Sequence, residues 1–249
     1  MTEVPVESVY SGVVSLKGLR LIMFLAELNN LDIWATDVGN AYLEARTQEK
    51  VFIIAGPKFG ELEGHLLVVF KALYGLRTSG GLRWHERFAD TLRDMGFRTS
   101  KADSDIWMRK NKNVYEYIAV YVDDLCIVAI DPRAIVDLLV SKYQYKLKGS
   151  GSIEFHLGCD YFRDADGILC YAPKRYVEKM ISTYKEMFGV NPNEETSPLV
   201  KGNHPELDTS KELGAEGIKQ YQSMIGAMQW AVSLGRLDIT TAVMTMSGY

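Results

Sequence analysis

Residues 116–130 read EYIAVYVDDLCIVAI, two apolar runs with a pair of aspartates, Asp123 and Asp124, between them. Runs of this length and β-branched content predict two strands, 114–122 and 125–130, that pair antiparallel. The aspartates then sit together at a tight turn on the sheet's edge. Aspartate is an ordinary turn residue, so a plain hairpin tip is one reading. Asp-Gly or Asn-Gly would be the usual choice there, however. Two adjacent carboxylates repel each other, and a divalent cation relieves that repulsion, which gives the second reading, a metal-binding tip.

Upstream, LDIWATDV (31–38) alternates and predicts a strand that presents Asp37 at its C-terminal end, where Gly39-Asn40 breaks it. A helix is expected over 17–29, and short strands over 51–54, 66–70 and 106–109. Trp84, Phe88 and Leu92 recur at helical spacing within 81–95, with Gly96 as the stop. Downstream, Asp131-Pro132 opens a helix to about residue 143. Strands 155–163 and 168–171 flank an Asp164–Gly167 turn. A helix over 174–187, a loop-rich stretch over 189–215 and helices over 216–234 and 237–247 follow. This order predicts an α+β fold, an antiparallel sheet packed on helices (1–172) followed by a mostly helical segment (173–249).

With 249 residues, 47% hydrophobic and 24% charged, the chain is long enough for a real core and too apolar for disorder. No stretch reaches the ~18 apolar residues of a spanning helix, and no secretory signal is visible. Three cysteines, Cys126, Cys159 and Cys170, match no metal or redox spacing and read as small core residues of a reducing compartment. The four histidines are scattered, which argues against a zinc site. Net charge is −4, yet residues 71–112 carry ten basic and five acidic side chains, and residues 186–216 seven acidic and two basic. The basic segment is either a solvated face or a surface that tracks a phosphate backbone.

Phosphoryl transfer with two ions needs carboxylates converging from different segments, and Mg²⁺ prefers hard oxygen ligands. Asp37 is the natural third carboxylate. Its context, DVGNAY (37–42), stands 86 residues ahead of Asp123 in YVDD (121–124). Between and after them lie LYGLR (73–77), KADSDIW (101–107), IEFHLGCDY (153–161) and YQSMIGAMQW (221–230). These six blocks, in this order and at this spacing, resemble the reverse transcriptase of Ty1/copia retrotransposons, an RNA-directed DNA polymerase. The resemblance runs from about Tyr10 to the last residue.

The resemblance implies a polymerase palm with a remnant of fingers, then a thumb or connection region. It implies that Asp37, Asp123 and Asp124 are the catalytic, metal-binding carboxylates. The Val38 carbonyl would be a further ligand, and the ions Mg²⁺ or Mn²⁺. Ala41, Tyr42, Tyr74, Gly75 and Arg77 match nucleotide-contacting positions. Tyr42 would stack under the sugar and exclude a 2′-hydroxyl, with a core aromatic as the alternative. Lys148 matches a lysine that could protonate leaving pyrophosphate, with a solvated lysine as the alternative. Tyr121 and Val122 would line the primer end, and Phe155, His156, Leu157 and Gly158 belong to a primer-gripping hairpin. The implied partners are an RNA or DNA template with its primer, dNTPs and the rest of a polyprotein (fingers, RNase H, integrase), in an intracellular setting without a membrane.

Departures are also visible. Gly80-Gly81 follow Ser79 where the family usually has proline, and Asn40 stands where many relatives have Thr or Asp. The family's preceding fingers segment and following RNase H region are not expected within this chain. A catalytically silent relic, and a binding module using the basic segment without chemistry, are therefore the competing readings. Intact Asp37, Asp123 and Asp124 argue against the binding module, because acids beside a phosphate backbone repel it unless metal is bound.

Overall fold

A computed structural model describes residues 12–71, 81–199 and 209–248. Tyr74, Gly75 and Arg77 lie outside them. The chain forms two compact units, the first ending at Ile153 and the second starting at Glu154. The compactness boundary thus falls ahead of the expected 172/173 division, because the hairpin strands beyond residue 154 pack with the helices that follow them.

The first unit is built on a six-stranded antiparallel sheet. Its strands are β1 (Asp32–Val38), β4 (Arg98–Thr99), β5 (Ile106–Asn111), β6 (Val114–Tyr121), β7 (Asp124–Ala129) and β8 (Leu147–Ser152), in the order β4-β5-β6-β7-β1-β8. A separate two-stranded ribbon, β2 (Arg46–Ile54) and β3 (Leu66–Lys71), completes the unit's strands. β8 was not expected. LKGSGS has neither alternation nor β-branched residues, and its pairing with β1 is a backbone ladder at the sheet's edge.

Alternation divides the sheet into two faces. Ile118, Val120, Leu125, Ile127 and Ala129 point to one face and meet helices α2 (Gly81–Asp94) and α3 (Pro132–Ser141). There Trp84, Phe88 and Leu92, spaced as the sequence predicts, are buried beside Ile135, Leu139 and Tyr145. Trp84 stacks on Phe88 with ring centroids 5.1 Å apart and meets Tyr145 edge-on at 5.7 Å. Burying each such side chain contributes roughly 1.5–3 kcal/mol. Helix α1 (Leu16–Leu28) covers the other face, which carries Ile33, Ile106, Ala119, Cys126 and Val128. Ser15 caps α1 by accepting from the Gly18 amide, and Asp131 caps α3 by accepting from the Ala134 amide.

In the second unit, the stretch read as one strand over 155–163 is two. β9 (Phe155–His156) and β10 (Cys159–Arg163) are joined by Leu157-Gly158, at φ 47° and 87°. Two consecutive positive φ values make the mirror-image turn that favours hairpins, and Gly158 supplies half of it at no steric cost. β11 (Leu169–Ala172) pairs with β10 across the expected Asp164–Gly167 turn. Helices α4 (Lys174–Phe188), α5 (Ala215–Leu234) and α6 (Thr240–Met246) follow as read. Gly189, at φ 72°, ends α4.

Candidate active site

The site is a consequence of register. On β6 and β7, Tyr121 stands opposite Asp124; on β7 and β1, Asp124 stands opposite Asp37; on β1 and β8, Asp37 stands opposite Lys148. Directly opposed residues in an antiparallel sheet share a face. Tyr121, Asp124, Asp37 and Lys148 therefore form one row across four strands, on the face that α1 covers farther along the sheet. Asp123 stands in the turn at the row's edge. Four residues singled out from three distant segments are brought together by pairings no local pattern specifies.

The turn between β6 and β7 is Val122-Asp123. Val122 has φ 57°, the conformation in which such turns take glycine. A β-branched residue there costs about 1–3 kcal/mol and persists only where surroundings enforce it. Two hydrogen bonds do so. The Val38 amide donates to the Asp123 carbonyl at 2.8 Å, and the indole N–H of Trp84 donates to the Val122 carbonyl at 2.7 Å. Trp84 reaches the turn from the opposite, core face. Periodicity reads it only as an apolar helix residue.

Electrostatics record how close the carboxylates are. Asp124 is half-buried, and desolvation, then the charges of Asp123 and Asp37, push its carboxyl up to about 6. Asp123 is raised as well, first by burial and then by Asp37, against a lowering from its own backbone hydrogen bond. Among the described residues no three His, Cys, Asp or Glu side chains close into a ready-made metal cage. The donor set nonetheless fits Mg²⁺, which takes one or two hard carboxylates and completes its shell with water and substrate phosphates. A cation here would remove a repulsion that the fold otherwise sustains.

Around the row, Lys148 is exposed and its side chain runs past Gly39. A Cβ at residue 39 would stand 2.8 Å from Lys148 Cε and 3.1 Å from the Lys146 carbonyl oxygen. Glycine is thus needed for β8 to approach. Asn40 takes a left-handed φ of 58°, which asparagine tolerates. It leads into a 3-10 turn, Ala41–Glu44, where Ala41 is buried in the core and Tyr42 packs half-buried against it. The Ala41 side chain is thus part of the core and not of an open surface.

Phe155, His156, Leu157 and Gly158 lie in the second unit. Phe155 is exposed with the Arg175 guanidinium 4.6 Å over its ring, whereas His156 is buried, and its Nε2 has no hydrogen-bond partner. The basic segment is not one continuous basic face. Arg83 and Arg93 pair with Glu86 and Asp90 along α2, and Arg109 turns inward to the buried Glu116 at 2.9 Å. Arg98, Lys101, Lys110 and Lys112 stay exposed.

Sequence comparison supplies the class. Residues 2–201 match the family described as reverse transcriptase (RNA-dependent DNA polymerase), and the chain belongs to it. Among similar proteins is a putative transposon Ty5-1 protein of Saccharomyces cerevisiae, 26% identical over 86% of this chain and 68% of its own length. The retrovirus-related Pol polyprotein from transposon RE1 of Arabidopsis thaliana is 24% identical over 96% of this chain, and that from transposon TNT 1-94 of Nicotiana tabacum 25% over 98%. The chain spans 16% and 19% of the lengths of those two. The relatives are of the Ty1/copia type, as the six blocks imply. Among the described residues no helix is long and apolar enough to cross a membrane.

Proposed function

We propose that this chain extends a primer 3′-hydroxyl with dNTPs on an RNA or DNA template, with Asp37, Asp123 and Asp124 as the metal-holding carboxylates. The observation that carries the reading is the cross-strand row itself, which sets Asp37 beside Asp124 and leaves a mutual repulsion that divalent cations neutralise. Asp37, Asp123 and Asp124 would hold such ions, which would supply charge stabilisation for the attacking oxygen and for the leaving oxygen.

The chain's own residues position the reactants. Asp37 and Asp124 present oxygens from adjacent strands, and Asp123 adds its carboxylate from the turn. Tyr121 lies in the same row, where a primer terminus would lie against it. Tyr42, on its 3-10 turn, offers a ring edge against the sugar C2′ that excludes a hydroxyl. Lys148, opposite Asp37, would hold charge on the departing pyrophosphate and give it a proton. The hairpin carrying Phe155, with Arg175 stacked on it, offers an aromatic and a cation to the primer strand. The exposed Arg98, Lys101, Lys110 and Lys112 can meet phosphates without reading sequence.

The test is primer extension on an RNA template. Extension with Mg²⁺ or Mn²⁺, its loss in EDTA and its loss in Asp123→Asn support the reading. Template–primer binding without extension at any ion concentration, in protein shown to be folded, refutes it.

A further inference from the structure

The catalytic turn is a strained object held from behind. Its first residue, Val122, is β-branched at φ 57°, and the next residue carries a carboxylate. A left-handed φ is costly for a β-branched residue, and a change in the Val122 backbone would redirect Asp123. The Val38 amide holds the Asp123 carbonyl, and one side chain on the core side holds the Val122 carbonyl. Trp84 is 1% exposed, its ring is fixed by Phe88 and Tyr145, and its indole N–H meets the Val122 carbonyl at 2.7 Å.

We infer that Trp84 is a positioning residue for the carboxylate turn: by holding the Val122 carbonyl, its indole N–H sets where Asp123 and Asp124 stand and so sets divalent-cation affinity. The inference rests on the reading that those aspartates bind the ions. The indole is suited to the task for physical reasons. It is a donor only, so it pairs with the Val122 carbonyl and cannot itself ligate a cation. Its large apolar body is locked by close packing, which gives the N–H a fixed direction. Phenylalanine at residue 84 would fill much of the same space and leave the Val122 carbonyl without this donor.

The experiment separates the hydrogen bond from the packing. Trp84 is replaced by 3-benzothienylalanine, which keeps the bicyclic shape and puts sulfur where the N–H was. Trp84→Phe is the encodable second variant, and Phe88→Leu disturbs the same aromatic cluster while leaving the N–H in place. Mn²⁺ affinity of the full chain is read by electron paramagnetic resonance, together with melting temperature. In the unsubstituted protein, exchange of the Trp84 indole proton is followed by NMR. The expected result is a protected indole proton and about fivefold weaker Mn²⁺ binding in both Trp84 variants. Phe88→Leu, which loosens the packing but leaves the N–H, weakens Mn²⁺ binding by less than either Trp84 variant. An indole proton that exchanges freely overturns the inference. So does unchanged affinity in the benzothienyl variant, or equal weakening in Phe88→Leu. A flat Mn²⁺ titration of the unsubstituted protein instead defeats the metal reading, and this inference with it, so the two failures are told apart.

Discussion

Asp124→Asn removes one charge from the row and leaves its shape. In the metal-free protein Asp124 has its carboxyl pushed up to about 6, from an ordinary 3.8, by burial and by Asp123 and Asp37. A raised carboxyl means that the folded state holds its proton more tightly than the unfolded chain does. The stability this gives is fully present below pH 3.8 and is lost as pH rises through about 6. At neutral pH the ionised group is therefore a burden on the fold. A shift of this size corresponds to about 3 kcal/mol, which partial solvent exposure reduces to about 1–2 kcal/mol. In EDTA at pH 7.5, Asp124→Asn should thus melt higher than the unsubstituted protein by about 2–8 °C. Acidifying to pH 5 should narrow the gap, because the wild-type group then takes up its proton. Mg²⁺ should raise the wild-type melt, by about 2.7 kcal/mol at a hundredfold excess over its Kd, and raise the variant's less. Primer extension should be lost in the same variant. A variant that melts at or below wild type in EDTA at pH 7.5 refutes the reasoning, since the carboxylates would then not burden one another.

His156, buried and without a partner at Nε2, has its pKa lowered to about 4 by desolvation. Its neutral form is the one the fold accepts, so the second unit should lose about 3 kcal/mol as pH falls from 6.5 to 4. His156→Leu should flatten that slope in pH-dependent melts. Gly39→Ala introduces a Cβ against Lys148 and the Lys146 carbonyl. It should cost about 1–3 kcal/mol and lower extension by displacing β8, measurable by denaturant titration and primer extension. Tyr42→Val should raise ribonucleotide incorporation relative to deoxynucleotide in kcat/KM, with little loss of melting temperature. A loss of roughly 3–5 kcal/mol with unchanged discrimination would make Tyr42 a core residue.

Much of the scaffold is legible in residue pattern. The apolar runs on either side of Asp123-Asp124, the 84/88/92 stripe and the Asp131-Pro132 cap each carry a local signal strong enough to specify their element. β8 is not legible, because a Gly/Ser-rich edge strand is defined by the ladder it joins and not by its side chains. The break at Leu157-Gly158 is missed for the opposite reason. Phe155 to Arg163 is apolar enough to pass for one strand, and the turn depends on two positive φ values. At the site, the blocks around Asp37 and Asp123 point to the carboxylates. That Asp37 faces Asp124 on one side and Lys148 on the other follows only from register. Trp84 carries no polar signature in sequence, since a donor aimed at a backbone carbonyl looks like any other core aromatic.

The place of β1 in the sheet also has a consequence in time. This strand is the earliest of the six in the chain, yet it lies between two of the latest, β7 and β8. A ribosome that has released Val38 must add more than a hundred further residues before Ser152 can pair with Trp34. At ordinary synthesis rates, about 5–20 residues per second, that delay is roughly 6–23 s. Until β7 is made β1 has two unsatisfied edges, and until β8 is made it has one, with an apolar side as well, a template for pairing with any neighbouring nascent chain. The acidic row is closed last, so a chain stalled or cut before β8 would display Asp37 and Asp124 without the strand that brings Lys148. Helix α1, made just ahead of β1, is the first cover available to that apolar face during the interval.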